Sequence, residues 1–355
     1  MSQTLYIAGT AMSNLPVSLQ FPELVNYLND QGFVTKMTFP AENYIGMNHS
    51  ERKYSQFLKA GGIPSRAVLV LLEPEAVFPS QYKKSVLGKY GLVLRPGNPS
   101  HHNALGKFIA WPYESNPNPL TPSAQKIKLK DYIANNVAKG LFKIDNWKAR
   151  DQYLVIINSN KVSPAPIENY SLRRMFAHEI DPALLSVYGD LWDAKIWKKI
   201  RHRLEVTLFS VRNVHLPNIK NIYGNLHWRF PASRGIIADK QVVLQHVRFN
   251  IVIENDPSYI SEKLFDSMIN GSIPIYSGPD IPDEIIPRGA YIKLPGSPTE
   301  LLNTLQALSD AEVKRVLTQI QDFISSDTFL SVWEKEVVFA RMGQEISFYL
   351  GATHE

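Results

Sequence analysis

Short apolar runs alternate along the chain with segments of helical periodicity. The runs of strand length lie at residues 4–9 (TLYIAG), 66–79 (RAVLVLLEPEAVFP), 90–97 (YGLVLRPG), 152–161 (QYLVIINSNK), 184–192 (LLSVYGDLW), 248–255 (RFNIVIEN) and 272–278 (SIPIYSG). Helical patterns lie between them at 21–33, 171–180 and 261–271. Continuous apolar runs are typical of strands buried on both faces of a parallel sheet. The alternation predicts an α/β protein with two Rossmann-like, doubly wound domains.

A stretch rich in Pro, Asn and Ser at residues 112–130 is the best candidate for a linker. The strand pattern restarts at residue 152, so we predict a first domain over 1–150 and a second over 151–330. The remaining residues, 331–355, are predicted to form a helix that crosses back onto the first domain. Two domains are also what a chain of 355 residues favours.

Composition excludes several classes of protein. Hydrophobic residues make up 44% and charged residues 20%, which is typical of a globular chain. The 38 basic and 33 acidic residues give a net charge of +5, which suits an anionic ligand but does not indicate nucleic acid. The chain has no cysteine, which excludes disulfides and thiolate metal sites.

No apolar run approaches the ~20 residues of a membrane helix, and the first residues do not resemble a signal peptide. We therefore expect a cytoplasmic protein, with peripheral contact to the inner face of the membrane as an option.

One basic segment has a pattern that would allow such membrane contact. Ile196, Ile200 and Leu204 lie four residues apart among lysines and arginines, which is consistent with binding to an anionic membrane. The alternative is a helix whose apolar stripe packs on its own domain.

Residues 254–263 combine charge with a predicted junction between a strand and a helix. Ligands of open α/β sheets bind at the carboxyl ends of strands, where Glu254 and Asn255 are predicted to lie. Ser261 can cap the next helix, which places Glu262 and Lys263 in its first turn. A helix N-terminus with a lysine attracts anions, and a carboxylate can bind ribose hydroxyls. The pattern favours a nucleotide diphosphate; the alternative is a surface Glu–Lys pair that opens a helix.

The same region resembles the alpha-1,3/1,4-fucosyltransferase family and its bacterial relatives. The resemblance rests on four motifs in order: RFNIVIEN, YISEK, GSIPIYSG and PRGAYI. Upstream, INSNK, YSLRRMF and VYGDLW are similar to other segments of that family's donor domain, so the resemblance covers roughly residues 152–345. It implies the GT-B type of fold, in which two domains face a cleft. Ser261 stands where the family usually has Thr, and the loop of residues 256–258 is shorter than in well-known members.

The resemblance implies a role for each matching residue. Arg173, rather than Arg174, and Lys263 would hold the pyrophosphate of GDP-fucose, because a guanidinium and an ammonium stabilise a leaving diphosphate. Glu262 would bind the ribose. The remaining residues of the nucleotide and sugar pocket would be Glu254, Asn255 and Tyr259.

The family inverts the anomeric centre, which requires a general base from the first domain. Its base is a Glu at the end of a strand in an E-x-P or E-x-E-x-P context, and the corresponding stretch here is LLEPEAVFP. That makes Glu73 the candidate base, with Glu75 second. His101 and His102 are the other candidates.

The implied activity is fucose transfer from GDP-fucose to a hydroxyl of an oligosaccharide or polysaccharide acceptor, in surface polysaccharide synthesis. The sequence contains no P-loop, no G-x-G-x-x-G motif and no metal-ligand cluster, so we expect metal-independent transfer without a cofactor. Two alternatives remain. One keeps the fold and uses another nucleotide sugar, since the short loop lies beside the sugar; the other is a non-catalytic module that binds carbohydrate or nucleotide.

Overall fold

The computed structural model describes residues 3–8, 20–96, 107–109, 129–165, 167–213, 222, 229–258 and 260–352. The chain forms two compact units. Unit 1 comprises residues 1–112 and 335–355, and unit 2 comprises residues 113–334. The second unit is therefore inserted between the two segments of the first.

Eleven strands lie in the described residues: β1 Gln3–Ala8, β2 Phe33–Lys36, β3 Asn43–Met47, β4 Ala67–Val70, β5 Leu92–Pro96, β6 Lys107–Ile109, β7 Gln152–Ile157, β8 Leu185–Tyr188, β9 Val247–Ile253, β10 Ile273–Ser277 and β11 Ile292–Lys293. The α-helices of the described residues are α1 Pro22–Asp30, α2 Glu51–Lys59, α3 Lys84–Leu87, α4 Leu129–Ala138, α5 Ile144–Lys148, α6 Tyr170–Glu179, α7 Ile196–Asn213, α8 Lys240–Gln245, α9 Glu262–Ile269, α10 Pro298–Ala307, α11 Asp310–Ile324, α12 Asp327–Trp333 and α13 Lys335–Ala352.

The sheet of unit 1 is parallel, with the order β2-β1-β3-β4-β5-β6. Its side chains alternate between two buried faces, as the pleat of a strand requires. In β1, Leu5 belongs to a core shared with α1 and α13, whereas Tyr6 belongs to an aromatic core against α2. Burial on both faces explains why these strands read as continuous apolar runs.

The last helix completes the core of unit 1. Four side chains of α13 pack with those of α1 and of the sheet: Phe339, Met342, Ile346 and Leu350. Glu334 separates α13 from α12, because its backbone is extended (φ −64°, ψ 137°) where a helix would have to continue. Phe265 packs on Trp333 of α12 with ring centroids 4.4 Å apart, so α12 belongs to unit 2.

The sheet of unit 2 is also parallel, with the order β11-β10-β9-β7-β8. If β7 is counted as strand 1 and the sheet is read from β8, this is the order 2-1-3-4-5 of flavodoxin-like sheets. Unit 1 has the same order with one added strand. Two doubly wound parallel sheets were predicted, and that fold class is confirmed.

The division between the units differs from the boundary expected after residue 150. Residues 129–150 lie with the second sheet, because two of their side chains bond to its backbone. Trp147 donates from Nε1 to the carbonyl of Arg248 at 2.9 Å. The buried guanidinium of Arg150 donates to the carbonyls of Val247 at 2.7 Å and of Asn270 at 3.1 Å.

The burial of the basic helix α7 separates the two interpretations of its apolar stripe. Ile196 and Leu204 are exposed and Ile200 is half-buried, so the stripe does not pack on its own unit. Two cations, Lys199 and Arg203, occupy the buried face instead.

Candidate functional site

The strand order of unit 2 defines where a ligand is expected to bind. The chain leaves β7 towards β8 on one side and leaves β9 towards β10 on the other, so the ligand-binding crevice of such a sheet is expected at the carboxyl ends of β7 and β9. Residues 158–160 follow β7, and Glu254 and Asn255 follow β9. These are the two segments that the sequence singled out.

The start of α9 is fixed to the end of β9 by a buried carboxylate. Ser261 caps the helix, since its Oγ accepts from the amide of Lys263 at 3.4 Å. Oε1 of Glu254 accepts from the amide of Ser261 at 2.8 Å. The predicted cap is therefore present. The first turn of α9 lies beside the carboxyl end of β9, and the N-terminus of a helix attracts anions.

Glu254 is fully buried, and burial raises its pKa to about 7 against the opposing effects of the Lys263 charge and the Ser261 amide. Its second oxygen, Oε2, has no hydrogen-bond partner within the described part of the chain. The same holds there for the hydroxyl of Tyr276, whose pKa is raised well above its usual value by burial and by Glu254. Buried polar atoms are normally paired, so these two oxygens are exceptions that mark the end of β9 as a candidate site.

Glu262 and Lys263 lie in the first turn of α9 as predicted, and a second lysine joins them. Glu262 Oε1 is 3.5 Å from Nζ of Lys263 and 3.7 Å from Nζ of Lys240. Burial would raise the pKa of Glu262, but the two lysine charges outweigh it and hold the pKa at about 2. Lys240 also pairs with Asp266 at 2.5 Å, which connects α8 to α9.

Arg173 of α6 lies beneath this region rather than at its surface. Its side chain is buried, stacks on Tyr170 at 4.9 Å, and donates from Nε to the carbonyl of Ile253 at 2.9 Å. Nη2 donates to the same carbonyl and to Oδ1 of Asn255 at 2.9 Å. Burial lowers its pKa. The guanidinium thus fixes the end of β9 and the orientation of Asn255. Arg174 points elsewhere, with Nη1 donating to the carbonyl of Lys161 at 2.8 Å.

The loop after β7 packs tightly on the turn after β8. Gly189 has φ +135°, and a Cβ at that position would lie 2.3 Å from the carbonyl oxygen of Asn158, so the turn requires glycine. The amide of Asn160 donates to the carbonyl of Asp190 at 2.8 Å. Oδ1 of Asn160 is buried and has no hydrogen-bond partner among the described residues. The central strands β7 and β9 are therefore each followed by a buried side-chain oxygen without a hydrogen-bond partner among the described residues, Asn160 Oδ1 and Glu254 Oε2.

The loop of residues 256–258 is held by hydrogen bonds between its own residues. Oδ1 of the buried Asp256 accepts from the amide of Ser258 at 2.9 Å and from its Oγ at 2.7 Å. Tyr259, which the sequence assigns to the pocket, lies outside the described residues.

Glu73 lies in unit 1, three residues beyond the end of β4, and is half-buried. Its carbonyl accepts from the hydroxyl of Tyr82 at 2.8 Å, which fixes the backbone that carries it. Glu75 is half-buried in the same loop. His101 and His102 lie outside the described residues.

Sequence reasoning missed Lys240 and Asn160. Lys240 follows Asp239, which caps α8 by accepting from the amide of Gln241 at 2.8 Å, so a helix-start signal was available at that position. Asn160 is in the quoted NSNK loop, but nothing in the sequence distinguishes it from Asn158.

Within the described ranges, no group of three or more His, Asp or Glu residues is arranged to hold a metal ion. In those same ranges, no helix has both the length and the apolar character needed to cross a bilayer.

Two doubly wound parallel sheets of this order, in a chain that returns to its first unit, define the GT-B glycosyltransferase fold, and solved structures support that assignment. Anabaena Alr3699/HepE in complex with UDP and glucose has a TM-score of 0.51 at 11% identity, covering 98% of this chain and 100% of that one. An alpha1,3-fucosyltransferase with GDP also has a TM-score of 0.51, at 12% identity, covering 98% of this chain and 90% of that one. No family model and no curated protein matches the sequence.

Proposed function

We propose that this chain is an inverting glycosyltransferase that moves fucose from GDP-fucose to a hydroxyl of a glycan, in surface polysaccharide synthesis. The observation that carries the proposal is the group of side chains at the carboxyl ends of β7 and β9. There, the capped start of α9 and Lys263 provide positive charge, and Glu254 Oε2 and Asn160 Oδ1 are buried oxygens without hydrogen-bond partners among the described residues. Positive charge suits a diphosphate, and oxygens that accept or donate hydrogen bonds suit the hydroxyls of sugars.

Lys263 is the direct partner of the pyrophosphate in this proposal, because its ammonium stands on the first turn of α9 and is partly exposed. Arg173 supports the site from below, since Nε and Nη2 are already bonded to Ile253 and Asn255. Glu262, held ionised by two lysines, accepts from the ribose hydroxyls. Asn255 and Tyr259 complete the nucleotide and sugar pocket.

The reaction needs a proton acceptor and a stabilised leaving group. An acceptor hydroxyl attacks the anomeric carbon and gives its proton to Glu73, while the bond from that carbon to the β-phosphate oxygen breaks. Negative charge then grows on the departing GDP. The Lys263 ammonium and the amides at the start of α9 stabilise it, which lowers the barrier. These two positive groups serve in place of a divalent cation.

A different nucleotide sugar is the second candidate. The solved HepE structure contains UDP and glucose and matches this chain with the same TM-score as the fucosyltransferase with GDP. The fold therefore does not favour a guanine nucleotide over a uracil nucleotide. A non-catalytic module that binds nucleotide is the third reading; it predicts binding without either transfer or hydrolysis of the donor.

The choice of donor is expected to appear in thermal unfolding. GDP should raise the melting temperature, because a ligand that binds only the native state stabilises it, and the shift should persist in EDTA. Stabilisation by UDP but not GDP would contradict the fucose assignment and favour the second candidate. Donor hydrolysis over a panel of nucleotide sugars separates both from the non-catalytic module.

Lys263→Ala is expected to weaken GDP binding by about 1.5 kcal/mol, or about tenfold, since it removes a hydrogen bond to a charged group at a partly exposed position. Calorimetric titration measures the change. Lys293→Ala is the control, because Lys293 is an exposed lysine of the same unit that pairs with Asp280 at 3.3 Å on the edge strand β11. Equal GDP affinity for the two variants would remove Lys263 from the phosphate site.

A further inference from the structure

Helix α7 presents apolar side chains outward and buries cations inward. Trp197, Leu204 and Leu208 are 76%, 50% and 58% exposed, and they lie at positions i, i+7 and i+11, which place them on one face of a helix. Lys199 and Arg203, four residues apart, are 3% and 4% exposed. Globular helices ordinarily have the opposite arrangement.

The buried cations show that this orientation is built into the unit. Nζ of Lys199 donates to the carbonyl of Trp192 at 2.7 Å and lies 5.3 Å from the ring centroid of Phe230. Nε of Arg203 donates to the carbonyl of Ile222 at 2.8 Å. Burying a charge is costly unless it is paired. The contacts with the carbonyls and the ring therefore hold α7 with its apolar face outward.

Basic side chains border the exposed apolar face. Lys198 and Arg201 flank Trp197 and are exposed, with partial pairing to Asp190 at 2.8 Å and Glu205 at 2.7 Å. These two are the exposed members of the four Lys and Arg residues in 196–208, since Lys199 and Arg203 are buried. Apolar residues with a Trp on one face, bordered by Lys and Arg, are typical of helices that lie in a membrane interface.

We propose that the outer face of α7 docks on an anionic phospholipid surface, with Trp197, Leu204 and Leu208 among the headgroups and Lys198 and Arg201 on lipid phosphates. A second copy of the chain fits this face less well. A two-fold interface on this face would bury Lys198 and Arg201 of both copies, and taking charges out of water is costly. The proposal concerns binding to a surface and does not depend on the sugar donor.

Co-sedimentation with vesicles tests the proposal. The wild-type chain is expected to pellet with vesicles of phosphatidylcholine and phosphatidylglycerol, to pellet much less with phosphatidylcholine alone, and to be released by salt. The triple variant W197Q/L204Q/L208Q is expected to bind about tenfold or more weakly, since it removes the buried apolar area. K198Q/R201Q is expected to lose the preference for anionic vesicles.

The matched control is I236Q/V242Q, which removes two apolar side chains of the same unit that are 72% and 57% exposed. It is expected to bind vesicles like the wild type. Thermal unfolding checks that every variant is folded. The proposal is overturned if the wild-type chain pellets with neither kind of vesicle, or if the triple variant binds anionic vesicles as well as the control does. A wild-type dimer in light scattering that the triple variant abolishes would also overturn it and assign the face to a second copy.

Discussion

Glu73→Gln is expected to lower the rate of sugar transfer by about 10²–10⁴-fold, the usual contribution of a general base. Gln has the shape of Glu without its basicity. The backbone contact of this loop is made by the carbonyl of Glu73 to Tyr82, so it survives the substitution. Steady-state transfer with saturating donor measures the change.

GDP affinity should stay at the wild-type value in Glu73→Gln, because the residues proposed to bind the nucleotide all belong to unit 2 and Glu73 belongs to unit 1. Glu75→Gln is the matched control, as a carboxylate of the same loop, and should retain most of the activity. Near-normal turnover in Glu73→Gln would remove Glu73 as the base and direct attention to Glu75, His101 and His102. A loss of GDP affinity in Glu73→Gln would indicate a structural role instead.

Glu254 is expected to make the stability of the chain depend on pH. Its folded pKa of about 7 lies above the usual 4.5, so the folded state holds a proton that the unfolded state releases. The resulting stabilisation is present below pH 4.5 and is lost as the pH rises through 7. Relative to Glu254→Gln, the wild-type chain should lose a few kcal/mol of unfolding free energy between about pH 5 and about pH 8. Denaturant titrations at both pH values measure it.

The neighbouring carboxylate provides the control for this experiment. The pKa of Glu262 is held at about 2, so Glu262 is ionised across that range in the folded state, and its stabilisation is lost only as the pH falls through 2. Glu262→Gln should therefore keep most of the wild-type slope between about pH 5 and about pH 8. A slope that is the same in the wild type and in Glu254→Gln would show that the buried carboxylate does not titrate there.

The sequence predicted the central part of unit 2 well because local and global signals agree there. The run RFNIVIEN became β9, Ser261 became the helix cap, and Gly271 follows the end of α9 with φ +65°. The strands β2 and β3 were not predicted. The former has only four residues, and the latter combines Asn43 and Gly46 with three apolar residues, so neither has a distinctive pattern.

Residues whose environment depends on distant parts of the chain were harder to predict. The pattern of α7 is compatible with an apolar stripe that faces inward. In the structure, Lys199 and Arg203 face inward instead, because they donate hydrogen bonds to the carbonyls of Trp192 and Ile222. Likewise, the conformation of Arg173 depends on the carbonyl of Ile253, eighty positions away. Periodicity carries no information about such partners, which only the folded backbone brings together.

The discontinuity of unit 1 has a consequence for synthesis on the ribosome. Domains generally fold as units while the chain emerges from its N-terminus. Unit 2 is complete once residue 334 has emerged, whereas the first sheet still lacks the side chains that cover it, among them Phe339, Met342 and Ile346. The domain translated first is thus the last to finish. Until α13 has emerged, the apolar side chains of α1 and β1 that pack against it stay uncovered, so we expect unit 1 of the nascent chain to become resistant to proteolysis later than unit 2.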